Sequence, residues 1–362
     1  MKANMKRAMR FNLNLANTSK KKLLQELSFE YNQGVNQYLQ VMALQNKYIL
    51  TNQEVKELNK TLPEGLKQCA YNKAVKVWKS WRRNKRKGEL PEYKGCIDLD
   101  NRFIKVEKAK NTSFDYWVRI STLTKGKRAV IPFKSYDYAN DYWNSWRLCN
   151  GGKIKIEDDG QIFLILTFDK ETPEKKQIGK QIGIDIGIKK LMVDSDGNQY
   201  GREVEAKMDK IQRKQQGSKA FKRALLERNY YINQVVKKLP FGSVSAMIME
   251  NIKGIKKNTR KEKRLRKEFR SKFQRWVYSL LFSRINQLCE LNGVHFLTVN
   301  PAYTSQTCSN CGFVHKLNRN CEIFKCRNCG YKTDADYNAS LNILNLGLVS
   351  ENVIPRSTEA YG

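Results

Sequence analysis

The sequence predicts an α+β protein of several domains, and three features of the 362-residue chain lead to that class. Residues 20–88 carry apolar side chains at helical spacing, and residues 93–170 contain short β-type runs. From residue 181 onward, apolar strands alternate with helices, and two of these strands end in a single acidic residue. The pattern places a helical region and a β-rich region before a mixed α/β region.

Two helices are expected in residues 20–88. In the first, apolar residues stand three or four positions apart: Leu23, Leu24, Leu27, Tyr31 and Val35. In the second, one side is formed by Ala70, Ala74, Val77, Trp78 and Trp81, and a Lys/Arg run ends the helix.

Four runs between residues 114 and 169 are predicted to be strands: "FDYWVRIST", "RAVIPF", "GKIKIEDDG" and "QIFLILTFD". The sequence "EDDGQ" is typical of a turn between the last two. The early stretch "MRFNLNL" can join the same sheet. We therefore expect a β-barrel that carries the helical region as an insertion.

Charge indicates the partner. The chain has 68 Lys and Arg against 35 Asp and Glu, a formal net charge of +33, and such an excess favours binding to nucleic acid phosphates. A membrane surface is the alternative, but no run of about 18 apolar residues exists to span a bilayer. The basic N-terminus lacks the apolar core of a secretory signal, so we expect a cytoplasmic protein.

The second half contains two isolated acids. The apolar runs "QIGIDIG" and "SVSAMIMENIKG" carry Asp185 and Glu250, and a buried carboxylate is costly unless a cation compensates it. Asp194 and Asp196 fit the turn of the hairpin that follows the first run, and one long basic helix is expected over residues 203–238. The element order is that of an RNase H-like nuclease fold, in which the two acid-bearing strands are neighbours.

A third acid is expected on the last helix. Counting from Asp336, positions plus three, four, seven and eight form a small, apolar stripe: Ala339, Ser340, Ile343 and Leu344. Asp336 therefore points inward, whereas Asp334, about 200° around the helix, is placed to cap it. The simpler alternative is that both acids only cap the helix.

Three carboxylates and only two histidines predict a metal-dependent hydrolase. Oxygen ligands suit Mg²⁺ or Mn²⁺, and two ions about 4 Å apart can hold the attacking and leaving oxygens of a phosphodiester. We predict that Asp185, Glu250 and Asp336 are both the catalytic residues and the magnesium ligands. The sequence has no GxxxxGK[ST] loop, which argues against ATP-driven chemistry.

Four cysteines predict a zinc site. "CSNC" and "CRNC" place Cys308, Cys311, Cys326 and Cys329 in two CxxC knuckles fourteen residues apart. A glycine follows each knuckle, as tight ribbon turns require. Four thiolates leave no open position for water, so the zinc is expected to be structural. Cys321 lies outside the pattern.

Two basic segments are expected to contact phosphates, the alternative being solvated helix faces. They are "WKSWRRNKRK" and "KKNTRKEKRLRKEFRSK". The predicted nucleic-acid-binding residues are Arg82, Arg83, Lys85, Arg86, Lys256, Lys257, Arg264, Arg266 and Lys267.

The motifs "GIDIGIKKL", "MIMENIKGI", "YTSQTCSNCG" and "CRNCGYKTDADYNASLNI" resemble the RuvC and zinc-ribbon motifs of transposon-encoded TnpB proteins, which miniature type V CRISPR effectors share. The resemblance covers about residues 180–346. It implies an RNA-guided endonuclease of double-stranded DNA that binds a guide RNA and a short adjacent DNA motif. It also implies a wedge barrel with a helical recognition lobe in a prokaryotic, nucleoid-associated protein, and a monomer is favoured.

These inferences give a domain order from the N-terminus: wedge strand 1–19, recognition lobe 20–92, rest of the wedge 93–172, linker 173–180, RuvC 181–304, zinc ribbon 305–332, RuvC helix 333–348 and tail 349–362. Three alternatives stay open: a type V CRISPR effector, a guided repressor without cleavage, and a guide-free transposase. The acids argue against the repressor, and the large basic first half argues against the transposase.

Overall fold

The computed structural model describes residues 4–84, 88–187, 189–252 and 277–350. The chain divides into two compact units, with the boundary between Glu171 and Thr172. Each unit has its own hydrophobic core. In the described residues, no helix combines the length and the apolar character needed to cross a membrane.

The first unit contains eight strands and four helices among the described residues. The strands are β1 Asn4–Asn12, β2 Ile97–Leu99, β3 Ile104–Lys108, β4 Tyr116–Ser121, β5 Arg128–Phe133, β6 Arg147–Leu148, β7 Gly152–Ile156 and β8 Ile162–Glu171. The helices are α1 Thr18–Leu44, α2 Asn52–Glu57, α3 Glu64–Arg83 and α4 Asp137–Ser145.

The strands of the first unit pair into two open sheets. One sheet has the order β1-β8-β7-β2 with β6 also on β8, and the other has the order β3-β4-β5. The predicted joining of the N-terminal strand to β8 is confirmed, with Asn4 opposite Glu171. The predicted closed barrel is wrong for the described strands, because β1, β2, β3 and β5 each keep an unpaired edge. Strand periodicity predicts which residues form strands but carries no information on the edges that pair.

Helices α1 and α3 follow the predicted patterns. Asn17 caps α1 by accepting a hydrogen bond from the Lys20 backbone N–H at 3.0 Å. The predicted apolar faces are largely buried, and the buried residues are Leu24, Leu27, Tyr31, Val35, Ala70, Ala74 and Trp78. The Tyr31 hydroxyl donates to the backbone carbonyl of Cys69 at 3.1 Å, so the two helices share a polar contact as well as a core.

The second unit contains eight strands and four helices in its described part. The strands are β9 Lys180–Asp185, β10 Met192–Asp194, β11 Gln199–Tyr200, β12 Val244–Glu250, β13 His295–Val299, β14 Arg319–Asn320, β15 Ile323–Lys325 and β16 Lys332–Asp334. The helices are α5 Val204–Gln212, α6 Lys219–Val236, α7 Tyr278–Leu291 and α8 Ala335–Ser350.

A five-stranded sheet in the order β11-β10-β9-β12-β13 organises the second unit. Strand β12 is parallel to both β9 and β13, whereas β10 is antiparallel to β9. The predicted adjacency of the two acid-bearing strands, β9 and β12, is therefore confirmed.

The buried Asp194 carboxylate shapes the turn of the hairpin that follows β9. It accepts hydrogen bonds from the backbone N–H groups of Asp196 and Asn198 at 3.0 and 2.9 Å.

The single long helix predicted over residues 203–238 is wrong. The structure has two helices, α5 and α6, separated by a turn in which Gly217 adopts a φ of 86°. Ser218 then caps α6 by accepting a hydrogen bond from the Phe221 backbone N–H at 3.1 Å. The residues "QQGS" supply turn and capping chemistry that interrupts an otherwise helical pattern.

Candidate active site and cysteine cluster

Asp185 and Glu250 lie side by side at one edge of the five-stranded sheet. Each is the last residue of its strand, and the pairing of Ile184 with Met249 places the two acids at the same level. Neighbouring strands are about 4.8 Å apart. Because β9 and β12 are parallel, the carboxyl ends of both strands bring their acids to one place.

Asp336 reaches the site from α8, which packs across β9. A Cβ atom on Gly183 would lie 2.2 Å from the backbone oxygen of Ser340, so only glycine permits this approach. The side chains of Ala339, Ser340 and Ile343 are buried and Asp336 is 9% exposed. The predicted helix phase is confirmed, and it turns Asp336 inward.

Asp334 has a different place. Its Oδ1 accepts hydrogen bonds from the backbone N–H groups of Asp336 and Tyr337 at 3.0 and 3.1 Å, which is capping of α8. Its other oxygen accepts a hydrogen bond from Lys190. Burial raises the pKa of Asp334, but Lys190 and the backbone donors outweigh it and hold the pKa below its usual value.

The three acids influence one another. Burial, together with the charges of Glu250 and Asp336, raises the pKa of Asp185 to about 8. Burial also raises the pKa of Glu250, against a hydrogen bond from Thr304 and the charge of Arg319. A cluster of carboxylates in which one pKa is raised by its neighbours suits a divalent metal, whose positive charge would offset theirs.

Three residues that the sequence analysis missed contact the acids. The Arg319 guanidinium donates to Asp336 Oδ1 at 2.7 Å, Lys190 Nζ lies 3.9 Å from Asp336 Oδ2, and the Thr304 hydroxyl donates to the Glu250 carboxylate. No spacing rule links Arg319 to Asp336, because the contact depends on how the cysteine-bearing segment folds back. Thr304 lies in the motif "YTSQTCSNCG", so this motif could have identified it from the sequence.

The four predicted cysteines converge. The sulfur atoms of Cys308, Cys311, Cys326 and Cys329 lie within 4.8 Å of one another, and two pairs are 3.7 and 3.6 Å apart. Zn–S bonds of about 2.3 Å in a tetrahedron put the sulfurs about 3.8 Å apart, so the cluster fits zinc. Cys321 is exposed and outside the cluster, as predicted.

Hydrogen bonds to the cluster favour thiolates. The backbone of Tyr331 hydrogen-bonds Cys329 and lowers its pKa to about 6, whereas burial raises the pKa of Cys308. The backbone N–H groups of Asn328 and Cys329 each lie 3.4 Å from Cys326 Sγ. The small sheet β14-β15-β16 connects the second knuckle to the start of α8. The metal-binding segment and Asp336 are thus joined by a short, hydrogen-bonded strand.

The predicted nucleic-acid-binding residues are only partly within the described residues. Arg82 donates to Asn46 at 2.6 Å and lies over the Tyr48 ring, and Arg83 is exposed. The other seven lie outside the described residues: Lys85, Arg86, Lys256, Lys257, Arg264, Arg266 and Lys267.

The sequence of the chain is similar to those of several known proteins. The family model "Cas12f1-like, TNB domain" matches residues 278–343. The chain is 27% identical over 232 residues to a CRISPR-associated endodeoxyribonuclease Cas12f1 of Syntrophomonas palmitatica, covering 53% of this chain and 45% of that protein. It is 26% identical over 238 residues to a TnpB-like protein of Methanocaldococcus jannaschii, covering 57% and 82%. The resemblance predicted from the motifs is confirmed.

Two solved structures have a similar fold. A Cas12f1–sgRNA–target DNA complex matches with a TM-score of 0.55 and 17% identity, over 90% of this chain and 82% of that one. The mini-RNA-guided endonuclease CRISPR-Cas phi3 matches with a TM-score of 0.61 and 10% identity, over 96% and 93%. At these identities the likeness concerns the fold. The chain spans less than half the length of the first curated relatives it matches.

Proposed function

We propose that the protein is an RNA-guided endonuclease that cuts target DNA at Asp185, Glu250 and Asp336. One observation carries the proposal: two parallel strands and one helix bring three carboxylates together, and their charges raise the pKa of Asp185. A structural role alone does not account for such a group, because gathering three buried acids at one place destabilises a fold. The relatives named endonucleases and the fold of guided complexes support the same class.

Asp185, Glu250 and Asp336 would hold Mg²⁺ or Mn²⁺. Bound there, such ions activate water and stabilise the departing oxygen of a phosphodiester. These ions fit the site because all three groups are carboxylates, which bind divalent cations. A cation would also offset the negative charges that raise the pKa of Asp185. This arrangement supports an RNase H-like, RuvC-type centre for the five-stranded sheet.

The residues around the acids have distinct tasks. Thr304 orients the Glu250 carboxylate by donating its hydroxyl proton. Arg319 places a guanidinium beside Asp336, where it can bind a phosphate of the strand to be cut. Lys190 pairs with Asp334 and lies 3.9 Å from Asp336, and it keeps the capping acid apart from the site acids.

The cysteine cluster is a structural zinc site in this proposal. Four thiolates fill the tetrahedron, so the zinc takes no part in hydrolysis. Its function is to fix the segment that carries Arg319 and leads into α8.

We further propose that the first unit is the wedge and helical recognition part and that it binds guide RNA and the DNA beside the target. The first unit has an excess of Lys and Arg over Asp and Glu, and its Arg83 is exposed, as phosphate binding requires. In this proposal the protein acts as a monomer at the nucleoid, in the cytoplasm of a prokaryote. We propose the TnpB type, with a type V CRISPR effector as the alternative, since relatives of both kinds match the chain.

Sequencing of the RNA that copurifies with the full chain tests the proposal. We expect one RNA species whose variable segment directs Mg²⁺-dependent cleavage of matching double-stranded DNA. Asp185→Ala serves as the control, with the same RNA and no cleavage. Purified chain that cuts DNA equally well after removal of all RNA would contradict guidance, and cleavage by Asp185→Ala would contradict the site.

A further inference from the structure

A tyrosine beside the carboxylate centre has an unusual backbone conformation. Tyr303 has a φ of 65°, in the left-handed region that bulky side chains rarely adopt. Of the other non-glycine residues with positive φ in the described part of the chain, Asn46, Asn59 and Asn111 are of the type that tolerates it. A strained backbone at a bulky residue is found mainly at functional sites, because the surrounding structure must hold it.

The loop around Tyr303 is held by its own hydrogen bonds. The Tyr303 carbonyl accepts from the backbone N–H groups of Gln306 and Thr307 and from the Thr307 hydroxyl, each at 2.9 Å. Asn342 of α8 donates to the carbonyl of Thr304 at 2.8 Å. The loop is therefore fixed to the helix that carries Asp336.

The side chain of Tyr303 is exposed to solvent, and the residue is next in the chain to one that contacts a site acid. The residue is 62% exposed, and its hydroxyl bonds to none of the described residues. The next residue, Thr304, is 3% exposed and donates to Glu250. Adjacent Cα atoms are about 3.8 Å apart, so the ring stands next to a residue in contact with a site acid.

We propose that Tyr303 stacks on a nucleobase of the DNA strand whose phosphate lies at the carboxylate centre. The exposed flat ring suits base stacking, which tolerates any sequence. The fixed loop lowers the entropy lost on binding, and the ring holds the strand in place while Arg319 binds its phosphate. This inference rests on the proposed function for the identity of the ligand.

Four variants separate stacking from other roles. Tyr303→Phe keeps the ring and loses the hydroxyl, Tyr303→Trp enlarges the ring, and Tyr303→Ala removes it. Tyr303→Gly removes the ring and also relieves the backbone strain, and its thermal unfolding temperature checks that it folds. Tyr230→Ala removes a tyrosine of similar exposure, 66%, from α6 and serves as the matched control.

The binding probe is single-stranded DNA carrying 5-iodouracil, irradiated with the full zinc-loaded chain in Ca²⁺ instead of Mg²⁺, so that the strand binds with little cleavage. We expect a photo-cross-link at Tyr303. We also expect the KM for target DNA to rise about 5- to 100-fold in the Ala and Gly variants, with little change in kcat, and to stay near wild type in the Phe, Trp and Tyr230→Ala variants.

Three results would overturn the inference: no cross-link at Tyr303, a wild-type KM in Tyr303→Gly, or a Phe variant as weak as the Ala variant, which would assign binding to the hydroxyl. Failure of the proposed function gives a different pattern. If the protein cuts no guided target but cross-links at Tyr303, the binding site stands without the nuclease. If it cuts and does not cross-link, only the stacking inference fails.

Discussion

The cysteine cluster and the carboxylate centre belong to the same unit, and they are assembled by different means. The four cysteines come from residues 308–329, and two short knuckles bring them together. The three acids come from β9, β12 and α8, and only the complete sheet with its packed helix brings them together. A local segment can thus close around a structural metal, while a site that must stay open to substrate is built on the rigid core.

Charge separates the two regions as well. The cluster is a closed set of thiols with backbone donors at its sulfurs, whereas the acids repel one another and leave Asp185 with a raised pKa. Arg319 connects them, since its backbone is in β14 near the cluster and its guanidinium is at Asp336. The comparison predicts that damage to the acids removes chemistry and that damage to the cluster removes structure.

The largest effect is expected from the acids. Asp185→Ala, Glu250→Ala and Asp336→Ala should each lower the single-turnover cleavage rate roughly 1,000-fold or more, because each removes one of the proposed metal ligands. RNA binding should stay within a few-fold of wild type. Near-normal cleavage by any of the three variants would contradict the claim that the acids provide the chemistry and the cysteine cluster provides the structure.

The next effect concerns the cluster. Cys326→Ser should lose the zinc, about one ion per chain by elemental analysis, and should unfold the second unit at lower temperature, because zinc binding contributes to folding. Cys321→Ser is the matched control and should keep both zinc and stability. An unchanged zinc content in Cys326→Ser would remove the cluster from this account.

Arg319 tests the connection. Arg319→Ala should lower the cleavage rate roughly 100-fold with zinc retained, because a cationic donor at the phosphate is lost. Arg319→Lys should keep part of the activity, since a lysine retains the charge without the bidentate geometry. Arg327→Ala, an exposed arginine of the same segment, should cleave normally. Equal loss in Arg319→Ala and Arg327→Ala would indicate a general effect of surface charge.

The smallest effect is expected at the cap. Asp334→Ala should reduce the free energy of unfolding by about 1 kcal/mol, with cleavage within a few-fold of wild type. Asp334→Asn should lie between Asp334→Ala and the wild type, because asparagine also caps helices but loses the ion pair with Lys190. Thermal unfolding and cleavage rates measured on the two variants decide the matter. If Asp334→Ala abolishes cleavage while Asp336→Ala does not, the roles of the two acids are reversed.

How well the sequence predicts a contact depends on how far apart in the chain its residues lie. Spacing alone predicted the cysteine cluster, and helical phase alone separated Asp336 from Asp334. Asp185 and Glu250 required a topology, which the alternation of strands and helices supplied. Arg319 was missed because its contact with Asp336 depends on tertiary folding of the ribbon.

Two predictions about the fold failed for related reasons. The closed barrel failed because strand patterns do not specify which edges pair, and the first unit has two open sheets. The long helix over residues 203–238 failed because Gly217 and Ser218 end one helix and begin another. In both cases a local sequence pattern was used to predict more of the structure than that pattern determines.

Counting bound Mn²⁺ tests the central claim most directly. Electron paramagnetic resonance on the zinc-loaded chain with guide and target should detect about two Mn²⁺ ions per chain. The Asp185→Asn variant should lose them while its zinc content and its RNA stay unchanged. Equal Mn²⁺ binding in Asp185→Asn and the wild type would contradict the claim that the three carboxylates form the metal centre.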